Sequence, residues 1–255
     1  MTDRSETGGT GAAVLDAPSA VEFMREALIK ISEEEISAIA AELEQKHAAM
    51  RSSLDAARLE TAPAEEARRL LGNTFVTRRR TDAILEALPA EELGAAIHEL
   101  VHGGGEVTTR FTAFDDRLEA VAAPARREFA GECLRFADPD RYWLWARWMW
   151  DPKAETGSLP LVLVSEYDLH GPDAGSIYGK VGAAVQAVVE TADQIGFHRM
   201  RASRFAVDVY LAAIYGVYLY TVTRMRMTQE FNKVIPELPA LVRRLLAVNR
   251  QEARA

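Results

Sequence analysis

The sequence predicts an all-α protein, a multi-helix bundle-like domain of about nine to eleven helices behind a disordered N-terminal tail. Three observations carry this. Apolar residues recur at helical spacing through most of the chain. Proline, glycine and capping residues punctuate it at helix-length intervals. No run of alternating apolar and polar residues is long enough to demand a sheet.

The elements follow in order. Residues 1–17 are small, polar and glycine-rich and read as a tail. A first helix is expected from Ser19 to Ile31. Ser32 and Glu35 then form a capping box, in which hydroxyl and carboxylate each satisfy an orphan amide. Beyond it Ile36, Leu43, Met50 and Ala57 repeat every seventh residue, with Ala40, His47 and Leu54 as a second column. That is a heptad seam, so the helix at 33–60 is expected to pack along a partner. Pro63 and Gly72 bracket a short helix, and others are expected over Arg78–Leu88 and Ala90–His102, the latter ended by Gly103, Gly104 and Gly105. Val107, Phe111, Phe114, Leu118 and Val121 step by four and three, an amphipathic helix. Pro124 opens the next, with Phe129, Cys133 and Phe136 on one face, and Asp138-Pro139 ends it before a helix reading DRYWLWARWMWDP. LPLVLV within 156–175 reads as a short strand or one buried helical turn. Two long helices, Ser176–Ile195 and Ser203–Asn232, precede a turn framed by Pro236 and Pro239 and a last helix, ALVRRLLAV. A division into a heptad-bearing segment, 18–62, and a main domain, 63–255, is the best break, with one continuous domain over 18–255 as the alternative.

Bulk properties narrow the function. The chain of 255 residues carries 30 basic and 38 acidic side chains, a net charge of −8. This makes nucleic acid an unlikely partner, since phosphate binding rests on excess positive charge, and leaves Arg78-Arg79-Arg80 as the one basic run. A single cysteine, Cys133, fits a reducing compartment, and the N-terminus lacks the cationic-then-apolar pattern of a signal peptide, so a cytoplasmic location is expected. The most apolar stretch, 205–222, is interrupted by Asp208 and is not expected to span a membrane.

The sharpest chemical motif is His98-Glu99-Leu100-Val101-His102, an H-E-x-x-H. Two histidines four apart share a helical face and can grip one zinc ion, while the glutamate is placed to take a proton from a zinc-bound water. The stretch resembles the zincin metallopeptidases over about eight residues, and His102-Gly103-Gly104-Gly105 is similar to the H-x-x-G continuation of their metzincin branch. The resemblance implies His98 and His102 as ligands and Glu99 as catalytic base. Thr108 stands where that branch has its third ligand. An acidic third ligand, Glu119 or Glu128, is the alternative, as a downstream helix supplies in the other branch. Against zinc, the residues before His98 read as helices throughout, and the two histidines also suit a helix C-terminus, where a cation is favoured.

WLWARWMW places Trp143, Trp145, Trp148 and Trp150 within eight residues. They read as a central core helix or as an interface, where tryptophan is a favoured anchor. The stretch FAGECLRFADPDRYWLWAR resembles a segment of some helix-hairpin-helix and restriction-associated helical proteins. Asp208 is the candidate buried charge, with Arg204 or Arg224 as partner. The leading expectation is a binding protein, partnered by another protein or by itself. The alternatives are a zinc-dependent hydrolase and a nucleic-acid-associated protein.

Overall fold

A computed structural model describes residues 15–194, 203–226 and 236–248, and within them eleven α-helices and no strand. Most of the expected tail therefore lies outside the described residues, as do Ile195 and residues 227–232 of the two long helices.

α1 (Ala17–Lys30) begins two residues before the expected start because Asp16 caps it, its carboxylate accepting from the Ser19 amide and hydroxyl. α2 (Glu33–Ser53) opens with the capping box of Ser32 and Glu35. It ends at Ser53 instead of running to residue 60, because Asp55 accepts from the Arg58 amide and starts α3 (Ala56–Thr61). Ala57 is consequently exposed, whereas Ile36, Ala40, Leu43, His47 and Met50 are buried. The heptad seam is covered by this chain's own helices, since α2 packs on α8 (Ala123–Ala137) and α10 (Ala206–Arg226). His47 lies in the seam and donates its Nδ1–H to the Phe136 carbonyl, 2.8 Å away.

α4 (Pro63–Asn73) lies on α6 (Ala90–His102), with α3 alongside and the short α5 (Thr81–Ala87) between them in sequence. The helix expected over Arg78–Leu88 starts only at Thr81, because turns hydrogen-bonded to Thr74 and Thr77 occupy residues 74–80. α6 then contacts α7 (Val107–Arg117) and α8, and α7 also lies on α9 (Ala174–Gln194). α10 carries α1 and α11 (Leu238–Leu246) on its flanks. LPLVLV is a single 3-10 turn, Leu159–Leu161, followed by one isolated bridge between Leu163 and Leu15. Among the described residues no helix is long and apolar enough to cross a membrane.

The largest departure from expectation is the tryptophan segment, which is irregular from Asp138 to Trp150. Side chains of neighbouring helices, with turns inside the segment and backbone bonds to Ser158 and Leu159, satisfy its backbone in place of a helical ladder. Arg135 of α8 donates to the Pro139 and Tyr142 carbonyls. Tyr178 of α9 donates its hydroxyl to the Trp143 carbonyl and accepts from the Trp143 amide. Glu128 accepts from the Arg147 amide. The segment also sits too close to its neighbours for intervening side chains. A Cβ on Gly131 would stand 2.9 Å from the Trp145 backbone, and one on Gly182 would stand 2.5 Å from the Trp143 ring.

Candidate functional site

The histidine motif occupies the last turn of α6, which packs against α3, α4, α7 and α8 and buries Leu93, Ala96, Ile97, Leu100 and Val101. That burial turns His98, Glu99 and His102 toward the rim, where His98 is half-buried and the other two are exposed. The imidazole centroids are 5.3 Å apart, as expected for positions one turn apart. Their polar contacts diverge. His102 donates its Nε2–H to the Leu54 carbonyl at 2.7 Å, so this nitrogen has no lone pair for a metal. His98 Nε2 lies 3.3 Å from Glu60 of α3. Glu99 folds over the helix end, where a Cβ on Gly103 would come within 2.4 Å of Glu99 Oε1. Neither Glu119 nor Glu128 joins the pair: Glu119 is exposed beyond the end of α7, and Glu128 sits on α8 in a 2.8 Å ion pair with Arg147. Among the described residues no three His, Cys, Asp or Glu side chains are arranged to hold a metal ion. The described residues place no third ligand beside His98 and His102, as the three-ligand zinc centre of a zincin would need.

Trp145, Trp148 and Trp150 are buried and Trp143 half-buried, so most of their surface packs inside this chain. Trp145 is 5.7 Å from the Phe111 ring and donates its indole N–H to the Trp150 carbonyl. Two of the four nevertheless line a cleft. Trp145 and Trp150, with Ala123, Pro124 and Pro152, wall an apolar cleft of about 120 Å³ between the start of α8 and the 145–153 segment. Its rim carries Arg127, Arg147 and Lys153 beside Glu128 and Asp151. The volume suits an inserted apolar side chain and falls below the roughly 300 Å³ at which small-molecule sites begin. The signal for Trp145 and Trp150 was in the sequence. The prolines and alanine that complete the wall carried none, because they come from a helix start and a turn well separated in the sequence, at Ala123-Pro124 and Pro152.

The rim is fixed by Asp115 of α7, which receives bidentate hydrogen bonds from both Arg126 and Arg127, the closest at 2.6 Å. Burial pushes the Asp115 carboxyl up, but the two guanidiniums outweigh it and hold it below the usual carboxylate range. A carboxylate depressed in the folded state adds stability that is complete above the unfolded value, about 3.9, and is lost as pH falls through the folded value. Wild-type protein is therefore expected to lose stability below about pH 4 more steeply than Asp115→Asn, read as urea midpoints against pH. Parallel curves would remove Asp115 from that role.

Asp208 is buried, as expected, but its partner is Arg135 at 2.6 Å. Arg204 instead pairs with Glu44 and Asp140 at the surface, and the Arg224 side chain lies outside the described residues. Cys133 is fully buried on α8, and burial, helped by the nearby Glu132 charge, pushes its thiol well above the ordinary range. A thiol so buried is a poor nucleophile.

Comparison with known proteins adds no family: no family model, curated protein or solved structure matches the chain.

Proposed function

We propose that this protein acts by binding, and that it associates with a second copy of itself through the tryptophan cleft. The observation that carries the reading is the apolar cleft walled by Trp145, Trp150, Pro124 and Pro152. Ile29 supports the choice of partner. It stands 73% exposed on α1, one of two large apolar side chains so placed among the described residues. The neighbouring sequence is net acidic, with Glu22, Glu26, Glu33 and Glu34 against Arg25 and Lys30. The cleft rim has the opposite balance, with three basic and two acidic side chains. An isoleucine entering a tryptophan- and proline-walled cleft buries apolar area at the centre, and the charged surrounds set orientation. One inserted side chain makes a small interface, so the association is weak, with a dissociation constant on the order of micromolar or above. The setting is cytoplasmic, supported by the lone reduced cysteine.

Sedimentation equilibrium tests the reading. The wild-type mass is expected to rise above the 28.2 kDa monomer as concentration approaches about 100 µM. Ile29→Glu and Ala123→Trp should each stay monomeric. Mixing those two variants should restore association, because one keeps the cleft and the other the isoleucine. A monomeric wild type throughout, or variants that associate like wild type, would sink it.

A further inference from the structure

The connection between α4 and α5, residues 74–80, reads TFVTRRR. It is anchored from below. Thr77 is buried and donates its hydroxyl to the Leu71 carbonyl at 2.8 Å, and the amides of Arg78 and Arg80 donate to Thr74 and Thr77 at 3.0 and 2.7 Å. A fixed backbone therefore presents what the loop leaves outside. That is Phe75, 53% exposed, and the exposed side chains of Arg78, Arg79 and Arg80. The Arg78 guanidinium lies over the Phe75 ring, 4.7 Å from its centroid. On neighbouring α4, Arg69 is held by Glu65 and Glu66, but none of Arg78, Arg79 or Arg80 has an ion-pair partner among the described residues.

We infer that this loop binds single-stranded nucleic acid. An exposed aromatic ring beside a guanidinium is a platform on which a base of any identity can stack, and unpaired guanidiniums are donors for phosphates. The acidic balance of the whole chain argues against a broad polyanion, and so do Asp82 and Glu86, exposed on α5 just beyond the loop. A duplex or a flat anionic membrane would meet those carboxylates. A single strand follows the loop alone, with up to three phosphates on the arginines and a base against Phe75. This surface is separate from the tryptophan cleft, and the inference does not depend on self-association.

Fluorescence anisotropy with labelled oligo(dT) and oligo(U) of about 12 nucleotides tests it on the full chain. Binding is expected at about 50 mM salt and should weaken about twentyfold by 200 mM, the slope for three phosphates on a single strand. Phe75→Ala should weaken binding about tenfold or more. Replacing Arg78, Arg79 and Arg80 together by alanine should abolish it, whereas replacing them by lysine should keep the salt slope. No binding at about 50 mM salt, or binding untouched by the arginine and phenylalanine changes, would overturn the inference. So would a preference for the matching duplex, or attachment to phosphatidylserine vesicles without oligonucleotide binding.

Discussion

Arg135→Ala is expected to lower the unfolding free energy by about 3–5 kcal/mol, the range for breaking a buried ion pair from one side. Arg135 is 1% exposed and every part of its guanidinium is used. Nε and one terminal nitrogen donate to Asp208 at 3.2 and 2.6 Å, and that nitrogen also donates to the Arg204 carbonyl. The other terminal nitrogen takes the Pro139 and Tyr142 carbonyls. One side chain thus joins α8, the start of α10 and the irregular segment after α8. Removing it leaves three carbonyls without that donor and a carboxylate without its counter-charge. Burial already pushes the Asp208 carboxyl above its ordinary value despite the pull of Arg135, so the orphaned group would be forced further toward its neutral form. Urea unfolding followed by tryptophan fluorescence checks this. Arg135→Met combined with Asp208→Asn should cost less than the sum of the single changes, because the pair acts as a unit. A loss below about 1 kcal/mol for Arg135→Ala would show that the surrounding contacts hold the segment without it.

Phe111→Ala is expected to cost a comparable amount, about 3–5 kcal/mol. Phe111 is fully buried on α7, stacked on Tyr178 at 4.6 Å between ring centroids and tilted against Trp145 at 5.7 Å. Its removal opens a void where three aromatic rings meet. Tyr178 sits in that void's wall, its hydroxyl kept protonated by burial and bonded to both backbone groups of Trp143. Loosening Tyr178 therefore reaches the backbone that carries the cleft-lining Trp145. Phe111→Leu, which keeps most of the volume, should cost much less. The check is denaturant unfolding with the tryptophan emission maximum of the native state, which should shift red in Phe111→Ala alone. Equal, small losses for both substitutions would mean that the core collapses around the gap.

Most helices and several of their ends were legible because their causes are local. The capping box of Ser32 and Glu35, Pro124 opening α8 and the three glycines after His102 act through neighbours within one turn. The buried faces of α2, α6 and α7 followed from spacing for the same reason. The early end of α2 was written in Asp55 and was hidden by the heptad register continuing past it.

The histidine motif shows the limit of a short pattern. H-E-x-x-H places two imidazoles on one helical face, and they lie there 5.3 Å apart. Whether a third ligand meets them depends on which elements pack against the end of α6. Those elements bring Glu60 and the Leu54 carbonyl. The tryptophan segment erred in the opposite direction. Its composition suits a buried helix, but helix formation competes with other partners for the same backbone groups, and here Arg135, Tyr178 and Glu128 satisfy them.

The sequence by itself determined the all-helical class, much of the punctuation of the helices, and Asp208 as the candidate buried charge, and it left open whether the heptad residues of α2 and the tryptophans pack inside the chain or against a partner. The tertiary structure alone decided that Arg135 is the partner of Asp208, 73 positions away. It also decided that two buried tryptophans line a cleft, and that Phe75 stands exposed beside three arginines without ion pairs among the described residues. The physical reason is range. Caps and periodicities act over one or two turns, while charge pairing, clefts and exposed platforms are fixed by helices that meet only when the chain has packed.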